Sequence, residues 1–402
     1  MFSLDQFISK YVTKRSSSMF LSDIEKNRDA LIEKIEGKTV CVIGGAGSIG
    51  SSFIKAILPF KPATLVVVDT NENALAELTR DLRSTKGMYV PADYVTYPMD
   101  FASPVFEKMF VKRGGFNIVG NFSAHKHVRS EKDIYSVEAL LQNNVLHAKL
   151  LLDLLTQYPP EEYFCVSTDK AANPVNIMGA SKRIMEDVIF SYSDKFLVKT
   201  ARFANVAFSN GSLPAGFLAR IQKLQPLSAP SDVRRYFVSP EESGQICLLA
   251  CILGENRAIF FPKLEEAQMM TFDAIGTELL KAHGYKVLEC SSDEEAIDKA
   301  EELKKGSNLY PVHYAVSDTS GEKPFEEFVT DTETADMERF SSLGVITGKE
   351  IPDKSKVEKV FTDLNVAFEQ EETTKEEIVA IMKAYLSNFE HIETGKSLDS
   401  KM

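Results

Sequence analysis

Thr39-Val-Cys-Val-Ile43 followed by Gly44-Gly-Ala-Gly-Ser-Ile-Gly50 is the stretch whose reading decides the fold class. Five apolar, β-prone residues read as a buried strand, the glycines as a tight turn, and the run opening near Ser51 as a helix. Glycines let backbone N–H groups approach an anion and let the helix pack on the strand, while the helix N-terminus favours negative charge. Gly-x-Gly-x-x-Gly is weak evidence alone. Placed between strand and helix it reads as a pyrophosphate cradle, with Gly44, Gly45, Gly47, Ser48, Ile49 and Gly50 as candidate contacts.

Working outward, strand-like runs recur at Leu65–Asp69, Asn117–Phe122, Tyr163–Ser167 and Phe196–Phe203, and amphipathic helices fit between them. That alternation implies an α/β protein: a Rossmann-like, doubly wound parallel sheet with a smaller, mainly helical substrate-binding domain. Asp69 ends the run Leu-Val-Val-Val nineteen residues after Gly50, the place for an acid that binds a ribose diol and repels a 2′-phosphate. NAD is therefore expected rather than NADP. The alternative reading of Asp69 is a turn residue. Asn71, Asp100 and Ala124 complete the cofactor candidates, Asp100 through the adenine amino group or, equally, as a turn aspartate.

The second informative stretch is Phe164-Cys-Val-Ser-Thr-Asp-Lys-Ala-Ala-Asn-Pro-Val-Asn-Ile-Met-Gly-Ala-Ser-Lys-Arg183. It places Asp169 and Lys170 just after a strand, on the edge where open α/β sheets bind ligands, and Lys182 on the next helix. Lys182 suits the nicotinamide ribose. Met178, four residues before Lys182, stands where a short-chain dehydrogenase carries its catalytic tyrosine. The histidines and lysine of Ser123-Ala-His-Lys-His127 suit a diphosphate or sugar hydroxyls, or else form an ordinary surface group.

Composition narrows the classes. The chain has 402 residues, 44% hydrophobic and 26% charged, with a formal net charge of −12, which argues against a nucleic-acid partner. No apolar run approaches the ~20 residues of a membrane helix, and the start lacks a signal-peptide plan, so a cytoplasmic location is expected. Five cysteines without a Cys-x-x-Cys read as reduced core residues, and no metal site is expected.

The organisation expected is an N-terminal helical extension at 1–37 and an NAD-binding domain at 38–206, to which 237–262 returns. Residues 207–236 and 263–350 form the substrate-binding region, and 351–402 a helical extension with a frayed tail. Ser292 and Thr374 open capped helices, the first reaching about Lys305.

These motifs resemble the UDP-N-acetylglucosamine 4,6-dehydratases of bacterial polysaccharide biosynthesis, which are extended short-chain dehydrogenase/reductases. The resemblance rests on the glycine loop, Ala-His-Lys-His-Val at 124–128, the block at 167–183, Arg-Phe-Ala-Asn-Val at 202–206, Arg-Tyr-Phe at 235–237 and Gly-Glu-Lys at 321–323. It resembles the branch with methionine in place of tyrosine. The resemblance implies a redox-neutral reaction in which NAD takes a hydride from sugar C4, water leaves across C5 and C6, and the hydride returns to C6. It implies Asp169 as acid to the leaving hydroxyl, Lys170 as base at C5, Thr168 on the C4 oxygen, Lys182 on the ribose, and Met178 as packing only. Asn205, Ser209, Arg235 and Glu322 are implied on the UDP-sugar side, where Lys126 and His127 are the candidates from the residues themselves, and a homo-oligomer is the family habit. Three departures stand out: the amino-terminal membrane helices of many long relatives are missing, 266–308 follows the family poorly, and the likeness thins beyond Phe328. A UDP-sugar 4- or 5-epimerase and a catalytically silent NAD-binding scaffold are the alternatives.

Overall fold

The computed structural model describes residues 2–127, 131–317, 323 and 325–393. Glu322 and the tail from 394 lie outside them. In chain order the first strands are β1 (Thr39–Ile43), β2 (Thr64–Asp69), β3 (Asp93–Pro98), β4 (Ile118–Asn121), β5 (Glu162–Val166) and β6 (Val198–Ala201). Then come β7 (Asn205–Val206), β8 (Leu227–Pro230), β9 (Arg234–Arg235), β10 (Phe237–Val238), β11 (Ile259–Pro262) and β12 (Met270–Thr271). The series ends with β13 (Lys286–Glu289), β14 (Leu309–Ala315), β15 (Ala335–Asp336) and β16 (Leu343–Ile346).

Nine strands form the main sheet in the order β15-β16-β11-β6-β5-β4-β1-β2-β3. Pairing is parallel from β3 to β11 and antiparallel at β16 and β15. The central strands are near-continuous apolar runs, and β5 is buried along its whole length, as a parallel strand covered on both sides is. The order reverses between β1 and β4. Such a switch point opens a crevice beyond the carboxyl ends of the strands, and here Phe122 N–H bonds Ile43 O at 2.7 Å to hold its two sides together.

One addition and one correction concern the carboxy-terminal half. Alongside its helices, β13, β14 and β8 form a separate three-stranded parallel sheet, and the stretch that follows the family poorly supplies β13 and the helix Asp293–Lys304. Moreover, β15 and β16, within 263–350, extend the main sheet rather than the substrate region. Phe217, Leu227, Phe272, Ile275 and Tyr310 build a second core beside the main one.

The flanking extensions pack differently. Phe7, Ile8 and Val12 join the second core, while Phe20, Ile24, Leu31 and Ile35 enter the main one. Downstream, the helices Lys354–Phe368 and Lys375–Tyr385 bury Phe361, Leu364, Ile378 and Met382 in the main core. The segment after them bonds back to the loop before the helix Ile177–Phe190, through Glu390 N–H to Pro174 O and Ile392 N–H to Val175 O. All five cysteines are buried and unpaired.

Candidate active site

The glycine turn is built by close approach. Gly44 has φ +69°, and a Cβ there would lie 2.5 Å from Ser123 N, so only glycine lets β1 run this close to the chain leaving β4. A Cβ on Gly50 would meet Gly44 O at 2.4 Å, which fixes how tightly the helix Ser48–Ile57 seats against the turn. Beyond the turn opens a cavity of about 380 Å³ lined by Gly44, Gly47, Asp69, Asp100 and Ala124. Asp69 is locked at its edge: one carboxylate oxygen accepts Ala46 N–H at 3.0 Å, the other Asn71 N–H at 2.9 Å. The Asp100 carboxylate accepts Ala102 N–H at 2.8 Å.

Six expected cofactor residues, Gly45, Ser48, Ile49, Gly50, Asn71 and Lys182, lie outside this lining. Gly45 packs against Val67, and Ile49 against the core. The Ser48 hydroxyl accepts Asn210 N–H at 2.8 Å, tying the glycine loop to the segment after β7. The Asn71 carboxamide oxygen caps the helix Glu72–Ser84 through Ala74 N–H at 3.0 Å. Sequence reading passed over His147, which lines the cavity; its buried Nδ1 lacks a hydrogen-bond partner. A glycine cradle at a helix N-terminus and a fixed carboxylate on one cavity fit a dinucleotide.

Thr168, Asp169 and Lys170 sit on the turn after β5. Neighbours on a regular strand face opposite ways, but here one oxygen of Asp169 accepts the Thr168 hydroxyl at 2.8 Å, Lys170 N–H at 2.9 Å and Lys170 Nζ at 3.1 Å. Asp169 is buried; Lys170 keeps 18% of its side chain exposed. Nζ of Lys170 also lies 3.5 Å from Oε1 of Glu326, a buried acid that sequence reading did not single out. Burial alone would weaken the hold of Lys170 on its proton, yet Asp169 and Glu326 outweigh it and the net shift is upward. The resting lysine is an ammonium.

The helix Ile177–Phe190 packs its first turn on this pair. Met178 is buried, with no titratable group to offer, and its N–H donates to the Glu131 carboxylate at 2.9 Å. Lys182 is buried, its Nζ 3.1 Å from Val166 O, and burial lowers its pKa. Asn144 bridges His125, whose N–H it accepts and whose carbonyl it bonds, to the Ser181 hydroxyl.

On the expected sugar side the residues are spread over loops and the short strands β7 and β9. Lys126 and His127 are exposed, the His127 ring lying against Gly211. Asn205 N–H bonds Tyr236 O at 3.0 Å, and Ser209 forms a turn with Ser212. Arg235 is buried and donates to Arg234 O and Lys323 O, both at 2.9 Å. Its charge acts on Lys170 and Glu326, which places it near the Thr168–Lys170 turn.

The fold and the glycine cradle are those of a Rossmann-type α/β protein. The chain belongs to the polysaccharide biosynthesis protein family, whose model matches residues 40–347. It is 29% identical to an uncharacterised membrane protein of Methanocaldococcus jannaschii over 77% of this chain and 85% of that one. It is 28% identical to the probable polysaccharide biosynthesis protein EpsC of Bacillus subtilis over 63% of this chain, spanning only 42% of EpsC. The inverting UDP-N-acetylglucosamine 4,6-dehydratase of Campylobacter jejuni matches at 25% identity over 57% of this chain and 67% of its own. A UDP-glucose 4-epimerase of Rickettsia bellii matches at 26% over 72% and 87%.

Among solved structures, Pen from Bacillus thuringiensis superposes with a TM-score of 0.63 at 17% identity, covering 83% of this chain and 99% of Pen. The dTDP-glucose 4,6-dehydratase DesIV of Streptomyces venezuelae, with NAD bound, gives 0.54 at 18% over 72% and 87%. None of the described helices is long and apolar enough to cross a membrane.

Proposed function

We propose that this chain is an NAD-dependent UDP-N-acetylglucosamine 4,6-dehydratase that makes a UDP-4-keto-6-deoxy-N-acetylhexosamine for glycan or polysaccharide synthesis. The observation that carries the reading is the Asp169–Lys170 ion pair on the turn after β5, next to a helix with Met178 where a tyrosine is expected. A 4-epimerase needs an acid-base group at C4 and has no use for a second pair; a dehydratase needs both an acid and a base at C5 and C6.

NAD, when bound, supplies the hydride acceptor for C4 and the hydride donor for C6. Gly44, Gly47 and Asp69 would hold its pyrophosphate and adenosine ribose, and Lys182 the nicotinamide ribose. Asp69, already bonded to two backbone N–H groups, presents negative charge where a 2′-phosphate would fall, which supports NAD over NADP. Asp169 protonates the departing C6 hydroxyl and Lys170 takes the C5 proton, whose acidity rises once C4 is a ketone. Thr168 is the residue for the C4 oxygen, although its hydroxyl proton is directed at Asp169. Arg235, beside the pair, is suited to a sugar-linked phosphate.

The test is incubation of the purified protein with UDP-N-acetylglucosamine in heavy water, followed by NMR and mass spectrometry. A 6-deoxy-4-keto sugar with deuterium at C5 and no net NADH is expected. An epimer alone, or unchanged sugar, overturns the reading.

A further inference from the structure

Lys170 poses a chemical problem: a base at C5 must be a neutral amine, and this one rests as an ammonium between carboxylates. On the dehydratase reading, we infer that Glu326 is the internal proton acceptor that unmasks Lys170, making Asp169, Lys170 and Glu326 one proton-handling unit.

The geometry supports it. Glu326 comes from the segment after Lys323, far in sequence from the turn it meets, yet only 3% of its side chain is exposed. Oε1 lies 3.5 Å from Lys170 Nζ, one small adjustment from a hydrogen bond. The charged groups around it are Lys170 and Asp169 on the turn, Arg235 on β9, and Lys323 on its own segment. Burial raises its pKa above the ordinary carboxylate value; Lys170 opposes this and Asp169 adds to it. A buried acid with raised proton affinity, 3.5 Å from an ammonium, takes a proton from it at lower cost than an ionised carboxylate in water would.

The protons balance without outside help. As C4 is oxidised, its hydroxyl proton passes to Asp169. Within the Lys170–Glu326 pair, ammonium and carboxylate become amine and carboxylic acid. The amine removes the C5 proton and returns to ammonium; the C5–C6 electrons expel the C6 hydroxyl, which leaves as water with the Asp169 proton. After C6 is reduced, Lys170 delivers its proton to C5, and Glu326 gives its own back to Lys170. Glu326 acts through Lys170 and is a positioning residue.

The experiment compares wild type, Glu326→Gln and Glu326→Asp from neutral to alkaline pH, with KM, kcat and thermal melting measured for each. Without an internal acceptor Lys170 must lose its proton to solvent. Glu326→Gln is therefore expected to lower kcat on the order of 10²-fold at neutral pH, to recover as pH rises, and to leave KM nearly unchanged, with Glu326→Asp intermediate. Wild type that forms the 4-keto-6-deoxy product while Glu326→Gln keeps full kcat, or loses the same factor at every pH, overturns the role of Glu326 alone. Wild type that forms no such product overturns the dehydratase reading and this step with it.

Discussion

The Glu131 carboxylate grips the first turn of the helix that carries Met178, one oxygen accepting Ile177 N–H at 3.0 Å and the other Met178 N–H at 2.9 Å. Helix N-termini leave backbone donors unsatisfied, and a buried acid that pairs two of them fixes where the helix begins. Replacing Glu131 with Ala strands both donors. A loss of roughly 1–3 kcal/mol is expected, read by denaturant unfolding, together with reduced turnover because the helix also holds Lys182.

Met178 gives a prediction of the opposite kind. If it only packs, Met178→Leu keeps volume and polarity and costs less than about 1.5 kcal/mol, with turnover essentially intact. Met178→Tyr places a larger group, with a hydroxyl needing a partner, where only 3% of the side chain is exposed. It should melt at lower temperature and gain no rate. A marked rate increase for the tyrosine variant would show that the missing phenol limits the chemistry.

Gly44→Ala tests the cofactor cradle. Positive φ and a Cβ 2.5 Å from Ser123 N both oppose it. The expected outcome is purified protein with little or no bound NAD, measured by releasing the nucleotide and quantifying it, and a lower melting temperature. Asp69→Ala should weaken NAD binding while leaving the fold closer to wild type.

Acid stability should depend on Glu333. Burial would raise its pKa, but hydrogen bonds from Arg202, the charge of Arg202 and then Lys349 overcome this and hold it at about 2. A carboxyl whose folded pKa is depressed adds stability above its unfolded value, near ~4.5, and loses it as pH falls toward 2. The contribution is on the order of 3 kcal/mol. Glu333→Gln should flatten that limb of the stability curve and lower stability at neutral pH, since buried Arg202 then loses one of its two carboxylate partners.

What the sequence showed and concealed follows from the range of the interactions. Thr39–Ile43 is a strand at the residues read from the sequence, because it is an unbroken apolar run beside a glycine turn. Asp93–Pro98 was not read as one: it is the edge strand β3, half-buried and mixed in composition, with no apolar run to reveal it. In 266–308 the charged helix was legible from its cap and charge, whereas β13 was not, being four residues with polar ends whose partners are β14 and, beyond it, β8. Asp169 and Lys170 were legible because they are neighbours in sequence. Glu131 and Glu326 were not, since nothing in their own surroundings says which distant turn each will meet.

The bonds from Glu390 and Ile392 to Pro174 and Val175 bear on how a newly made chain matures. Synthesis runs from the amino terminus, and domains fold as they emerge. The nucleotide cradle can therefore assemble on the ribosome well before the stretch that ties down residues 174 and 175 exists. An interrupted product would lack the two bonds that tie down residues 174 and 175, ahead of Met178.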